Sequence, residues 1–168
     1  DKADRLADVY AGKAGVLVTA EPAEGSPFLK SPAHQSGGGG LVSTITDYGR
    51  FLQMIANGGN FQGKTYLKKD TVKLMTTNQL PKEIPAITLG QQRHGTGFGL
   101  GFSVRTAIDN RWDKDASLGE FGWGGMASTH YWVSPKDELV VVTMEQTLPY
   151  NSNMEKTLKP IIYEAIIN

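Results

Sequence analysis

The sequence contains no cysteine among its 168 residues, which excludes a disulfide framework, a thiolate nucleophile and a cysteine-based zinc site. Long apolar runs are also missing, since none approaches the roughly 20 residues that span a bilayer, and the first residues do not resemble a signal peptide. Charge of one sign is not in excess, because 17 acidic and 17 basic residues cancel. The composition therefore favours a small molecule or another protein as partner over a nucleic acid or a membrane. It leaves the compartment open between periplasm, exterior and cytoplasm.

Several motifs that carry chemistry are absent as well. The three histidines, His34, His94 and His130, do not have metal-ligand spacing, so we expect no metal and no cofactor. There is no Gly-x-Ser-x-Gly to seat a nucleophile, no Gly-x-Gly-x-x-Gly and no phosphate-binding loop. These absences exclude the commonest nucleotide-binding and α/β-hydrolase signatures.

Three helices are predicted from apolar spacing and capping residues. Apolar residues recur on one helical face from Ile45 to Ile55, with Thr44 placed to cap the helix and Gly58 to end it. A shorter helix is predicted over about Asp70 to Thr77. The closing helix runs from Met154 to Ile166 and contains a proline that must kink or restart it.

The remaining pattern predicts strands. Residues 1–35 read as irregular apart from one short strand at 15–20. Apolar residues alternate with polar residues or glycine over 97–105, which favours a half-buried strand. Further strands are predicted at 119–123, 129–133 and 139–144. Helices followed by an antiparallel meander and a closing helix indicate an α+β fold, and the length favours a single domain spanning 1–168.

Several segments, taken together and in order, resemble one known family. Residues 38–44 (Gly-Gly-Gly-Leu-Val-Ser-Thr) resemble a glycine-rich entry to a helix, and residues 97–102 resemble a glycine-alternating strand. Most specific is Gly122-Trp123-Gly124-Gly125, with Val-Ser-Pro at 133–135 behind it. These features resemble the C-terminal portion of the serine β-lactamase-like and penicillin-binding-protein-like hydrolases. In their class C-type carboxylesterase branch, Trp-Gly-Gly replaces the third active-site motif, Lys-Thr-Gly.

The resemblance implies roles for the residues of this motif. The backbone N–H of Met126 would be an oxyanion donor, and Trp123 would wall the acyl pocket. Gly124 and Gly125 would let the strand edge approach a substrate closely. Apart from the resemblance, Trp112 lies in a charged loop and is a candidate substrate contact, with core packing as its alternative. Because Trp123 offers no cation for the carboxylate of a β-lactam, the motif favours simple esters or acyl groups over penicillins.

The chain lacks the residues that the resemblance requires for catalysis. No Ser-x-x-Lys occurs, since Ser26 and Lys30 are one residue too far apart. Tyr150-Asn151-Ser152 has the letters of the second motif but follows the last strand, where Ser152 is better placed to cap a helix. We therefore expect a chain that is inactive alone and that needs its N-terminal half or a second copy. The strand at 139–144 would then be an exposed sheet edge.

Two interpretations remain open from the sequence. One is part of a serine hydrolase that acts only with an N-terminal half. The other is a non-catalytic binding or interaction module that retained the scaffold and lost the chemistry. Because the first residue is Asp1 rather than methionine, we expect a processed or longer product. A Ser-x-x-Lys encoded in frame upstream would favour the hydrolase.

Overall fold

The computed structural model describes residues 2–89 and 91–166. The α-helices of this part of the chain are α1 (Ile45–Ala56), α2 (Lys69–Met75) and α3 (Asn153–Glu164), and two 3₁₀ turns span Ala3–Arg5 and Pro27–Leu29. The strands are β1 (Val9–Lys13), β2 (Val16–Glu21), β3 (Asn60–Phe61), β4 (Lys64–Thr65), β5 (Thr88–Leu89), β6 (Gln91–Gln92), β7 (Thr96–Phe98), β8 (Ser103–Arg105), β9 (Phe121–Gly124), β10 (His130–Ser134), β11 (Leu139–Thr143) and β12 (Thr147–Leu148). None of the helices described is long and apolar enough to cross a membrane.

A five-stranded antiparallel sheet with helices on both faces organises the fold. Its strand order is β11-β10-β9-β8-β7. Helices α1 and α2 pack on one face, and the core there contains Leu52, Ile55, Val72, Phe102, Val104, Phe121 and Val133. Helix α3 packs on the other face, where the Lys159 Nζ lies 5.0 Å from the centroid of the Trp132 ring. The predicted α+β class is confirmed.

Helix α1 begins and ends where its sequence signals indicate. The Thr44 hydroxyl oxygen accepts the N–H of Asp47 at 3.2 Å, which satisfies one of the free donors at the helix start. Gly58 follows the helix with a φ of +62°, the left-handed conformation that suits a C-terminal stop. Helix α2 starts less favourably, because Lys68 at its N-cap makes no side-chain capping bond.

The predicted strand over 97–105 is wrong, because the chain reverses direction within it. Strands β7 and β8 form a hairpin in which Phe98 pairs with Ser103. The Gly99 N–H donates to the Phe102 carbonyl at 2.8 Å, and Gly101 takes a φ of +91°. Leu100, predicted to face inward, is at the tip of this turn and is 54% exposed. The alternation of apolar residues and glycines continues through the turn in the sequence, but the glycines allow the backbone to reverse direction there.

The N-terminal region is more ordered than predicted. The short strand expected at 15–20 is present as β2, and it pairs with the unpredicted β1 in an antiparallel hairpin. Ala14 and Gly15 connect them with φ values of +50° and +80°, which is the geometry of a two-residue hairpin turn. Strand β1 also pairs in parallel with β12, which anchors the hairpin to the segment after the main sheet.

Strand β11 is at the edge of the main sheet, as predicted. It pairs with β10 on one side, and no strand within the described residues pairs with its other side. Four of its five residues, Leu139 to Val142, are only half-buried. An apolar edge of this kind offers a row of backbone donors and acceptors for pairing with another strand.

Candidate active site at the end of strand β9

The tryptophan–glycine segment (Trp123–Met126) begins at the end of strand β9, where β9 has a neighbouring strand on one side only. Strand β10 pairs with β9 along its length, up to the pair of His130 with Gly124. Strand β8 pairs with β9 only at Phe121 and Gly122. From Trp123 onward, the outer edge of β9 therefore has no neighbouring strand in the part of the chain described. Its backbone groups are open to a bound molecule.

The turn after β9 orients the segment. The Gly125 N–H points back to the hairpin and donates to the Thr129 carbonyl at 2.8 Å. Ser128, with a φ of +66°, donates its N–H to the Gly125 carbonyl at 3.0 Å. The Met126 N–H, between these two anchored residues, donates to no acceptor in the described ranges. The Met126 side chain is 78% exposed.

The glycines of this segment are also required by packing. A Cβ at Gly122 would collide with the Tyr131 carbonyl, and one at Gly124 would lie 2.9 Å from the Thr129 carbonyl oxygen. At Gly125 a Cβ would lie 2.5 Å from the Thr129 hydroxyl oxygen. Gly122 and Gly124 thus bring β9 close to the β10 backbone and its approach, whereas Gly125 is restricted by the Thr129 side chain.

This packing predicts unequal costs of glycine-to-alanine changes in two strands. Gly124→Ala should lower the free energy of unfolding by about 1–3 kcal/mol, because the new methyl group overpacks the β9–β10 hairpin. Gly12→Ala in β1, where a Cβ meets nothing within 4 Å, should change it by less than about 0.5 kcal/mol. Urea unfolding measures both. Equal midpoints for the two variants would contradict the steric requirement at Gly124.

Two cavities meet at the tryptophan–glycine segment. One has a volume of about 250 Å³ and is lined by Leu89, Arg93, Trp123, Gly124, Gly125, Met126 and Tyr150. The other, of about 350 Å³, lies between this segment and the glycine-rich stretch at 36–41, and includes Tyr48, Tyr131 and Met144 in its lining. Trp123 lines both cavities.

Trp112 lines a third cavity, of about 60 Å³, which Trp123 and Gly124 also line. It does not line the 250 Å³ or the 350 Å³ cavity. Its ring packs against two cations, with the Arg93 guanidinium carbon 5.0 Å and the Lys156 Nζ 5.5 Å from its centroid. Trp112 therefore contacts Arg93, a residue that does reach the 250 Å³ cavity.

His130 and Tyr150 form a polar pair beside the segment. His130 is 3% exposed, and its Nε2 lies 3.1 Å from the Tyr150 hydroxyl. Its Nδ1 lies 3.6 Å from a Glu145 carboxylate oxygen. Burial raises the pKa of Tyr150 above its usual value, and the nearby charge of Arg93 opposes this effect. In the sequence, Tyr150 belongs to a Tyr-Asn-Ser stretch that has the letters of the second motif but follows the last strand. In the structure, Tyr150 lines the 250 Å³ cavity.

A buried ion cluster supports the sheet behind the segment. Lys159 is 2% exposed, and its Nζ donates to Glu120 and Asp113, each at 2.7 Å. Arg105 also binds Asp113, at 3.0 Å. Burial alone would lower the pKa of Lys159, but the charges of Glu120 and Asp113 outweigh burial and raise it. The cluster connects α3 to the loop before β9.

Comparison with known proteins identifies relatives of the sequence. The family model described as Beta-lactamase matches residues 1–162. Protein Rv1367c of Mycobacterium tuberculosis is 33% identical over 136 residues, which make up 74% of this chain and 32% of that protein. A protein of a second strain of the same species matches equally. The chain therefore spans about a third of the length of the curated relatives it matches.

Solved structures share the fold. EstCE1, described as a hydrolase with promiscuous acyltransferase activity, superposes with a TM-score of 0.74 at 19% identity, covering 95% of this chain and 44% of that one. Simvastatin synthase (LovD) from Aspergillus terreus superposes with a TM-score of 0.71 at 21% identity, covering 95% and 43%. At these identities the likeness establishes the fold, and it agrees with the β-lactamase-like architecture predicted from the sequence.

Proposed function

Because the chain belongs to the beta-lactamase family, whose model matches residues 1–162, we propose that it forms the C-terminal part of a serine hydrolase that cleaves esters. In this proposal Trp123 walls the acyl pocket. Gly124 and Gly125 let the substrate approach the edge of β9, and the backbone N–H of Met126 stabilises the oxyanion. The nucleophile and its base come from residues outside these 168.

The open edge of β9 is the observation that carries the proposal. A serine hydroxyl that attacks an ester carbonyl turns the carbonyl oxygen into an oxyanion, which needs preorganised N–H donors. The Met126 N–H has no acceptor among the described residues, and Met126 lines the 250 Å³ cavity. A donor in this state can bind an oxyanion without first breaking a bond within the protein.

The reaction would proceed in two balanced steps. The serine oxygen bonds to the acyl carbon, its proton passes to the base, and the alcohol departs with that proton. Water then attacks the acyl-serine, which releases the acid and restores the hydroxyl. The oxyanion forms in both steps, so one donor at Met126 serves each of them.

The missing residues are proposed to enter beside β11. The sequence contains no Ser-x-x-Lys, so a segment bearing that motif must join the sheet for catalysis. The free side of β11 is a suitable place for its strands, because it is apolar and half-buried. Pairing with a second copy of this chain would complete the sheet but would not supply the nucleophile.

Ester hydrolysis tests the proposal. The 168-residue chain alone should not hydrolyse p-nitrophenyl butyrate above the buffer rate. The chain together with a polypeptide that carries the family's Ser-x-x-Lys, encoded upstream of Asp1, should hydrolyse it.

Hydrolysis by the chain alone would contradict the proposed division of the site. Saturable ester binding without turnover in the longer protein would instead support a non-catalytic binding module.

A further inference from the structure

The 250 Å³ cavity beside Met126 is lined by a cationic side chain, Arg93, that lies outside the tryptophan–glycine segment. Of the described residues that line the 250 Å³ cavity, Arg93 alone carries a charge. The others are apolar residues and glycines, apart from Tyr150, whose hydroxyl can donate a hydrogen bond. A guanidinium therefore lies next to the position proposed for the reacting carbonyl.

Two tryptophans hold this guanidinium in place. Its central carbon lies 5.0 Å from the centroid of the Trp112 ring and 5.6 Å from that of Trp123. The backbone of Arg93 is anchored too, since its N–H donates to the Ile87 carbonyl at 2.9 Å. Aromatic faces attract a cation without neutralising it. Arg93 is thus oriented while its charge remains.

Arg93 lacks the counter-ion that comparable arginines have. Arg105 binds Asp113 at 3.0 Å and Arg111 binds Asp109 at 2.6 Å. Among the residues described, no carboxylate oxygen lies within 4.0 Å of the Arg93 nitrogens, and its buried Nε has no hydrogen-bond partner. A half-buried guanidinium in this state is suited to a planar carboxylate, which it can bind through two parallel N–H bonds.

We propose that Arg93 binds a carboxylate of the substrate, so that the enzyme prefers esters whose acyl chain ends in a carboxylate. This inference rests on the proposed function for its reaction, but not for the anion site itself. Tyr150 lines the same cavity with its hydroxyl 3.1 Å from His130 Nε2, and Trp112 acts by positioning Arg93. The motif has a tryptophan rather than a cation at position 123, and Arg93, in the loop after β6, supplies the positive charge instead.

Matched esters test the preference in the hydrolase that contains this chain. The two substrates are p-nitrophenyl hydrogen adipate and p-nitrophenyl hexanoate, which have six-carbon acyl chains and differ in the terminal carboxylate. Arg93→Met should lower kcat/KM for the adipate about 10–100-fold, the range expected for lost hydrogen bonds to a charged group. It should leave kcat/KM for the hexanoate within about threefold, and Arg93→Lys should retain part of the preference. The control Arg111→Met removes an exposed guanidinium outside the cavity and should change neither value.

A binding measurement on the 168-residue chain separates the anion site from catalysis. Trp112 and Trp123 flank Arg93, so their fluorescence reports a ligand there. Monomethyl adipate should bind with a Kd at least about tenfold lower to the wild-type chain than to Arg93→Met. Methyl hexanoate should bind both alike.

The outcomes distinguish the two proposals. An equal loss of kcat/KM for both esters in Arg93→Met would show that Arg93 only maintains the shape of the cavity. Unchanged kcat/KM values would show that Arg93 does not contact the substrate. Either result would overturn the carboxylate site. Arg93-dependent binding of monomethyl adipate without hydrolysis of either ester would uphold the site and overturn the proposed hydrolase.

Discussion

Replacing Met126 with proline in the hydrolase that contains this chain should lower kcat for a neutral p-nitrophenyl ester by about 10²–10³-fold. This is the usual effect of removing one oxyanion donor. Proline lacks the N–H while keeping the backbone path. Met126 is the second residue of the turn closed by the Ser128 N–H and the Gly125 carbonyl, a position that favours proline, and its own N–H makes no bond within the described chain. Single-turnover kinetics would report the acylation step directly.

Met126→Ala is the matched control for this prediction. It removes the exposed side chain and keeps the N–H, so kcat should stay within about threefold of wild type. Both variants should unfold at similar urea concentrations, since neither loses a packed contact. If the proline variant retains the activity of the alanine variant, the oxyanion is stabilised elsewhere, and the role assigned to Met126 is wrong.

Replacing Lys159 with methionine should destabilise the protein by about 3–5 kcal/mol. The change leaves the buried carboxylate of Glu120 and the partly buried carboxylate of Asp113 without their shared cation. Arg105 still binds Asp113, so most of the cost falls on Glu120. Urea unfolding followed by tryptophan fluorescence measures the effect.

Two further variants separate charge from packing in this cluster. Adding Glu120→Gln to Lys159→Met should recover a large part of the lost stability, because the unpaired charge disappears. Lys156→Met, on the exposed side of the same helix, should cost less than about 1 kcal/mol. A loss of equal size in Lys156→Met and Lys159→Met would contradict a role for the buried ion pairs.

The sequence predicted those parts of the fold that depend on local signals. Helix α1 was predicted well, because Thr44 and Gly58 act on their own neighbours in the chain. The hairpin at 99–102 was missed, because its alternation of apolar residues and glycines looks the same in a strand and across a turn. Strand β1 was missed because its turn uses Ala14-Gly15 rather than the asparagine–glycine or aspartate–glycine pair that marks such hairpins.

The candidate site was predictable only where a motif is contiguous. Trp123, Gly124, Gly125 and Met126 follow one another in the chain, so the resemblance could locate them together. Arg93 lies in a polar loop whose sequence looks the same as that of an ordinary solvent-exposed loop. Its position between two tryptophans depends on long-range packing, as does the placement of Tyr150 at the cavity wall. The sequence offered no signal for Arg93, and its only signal for Tyr150 was the resemblance of Tyr150-Asn151-Ser152 to the second motif.

The central claim is that the edge of β9 completes an active site whose serine lies outside these 168 residues. A crystal structure of the full hydrolase, inhibited by a p-nitrophenyl phosphonate, tests this claim most directly. Phosphorus should be bonded to the serine of a Ser-x-x-Lys beyond these residues, with a phosphonyl oxygen about 2.7–3.1 Å from the Met126 nitrogen. Phosphorus on a serine within the 168 residues, or a phosphonyl oxygen remote from Met126, would contradict it.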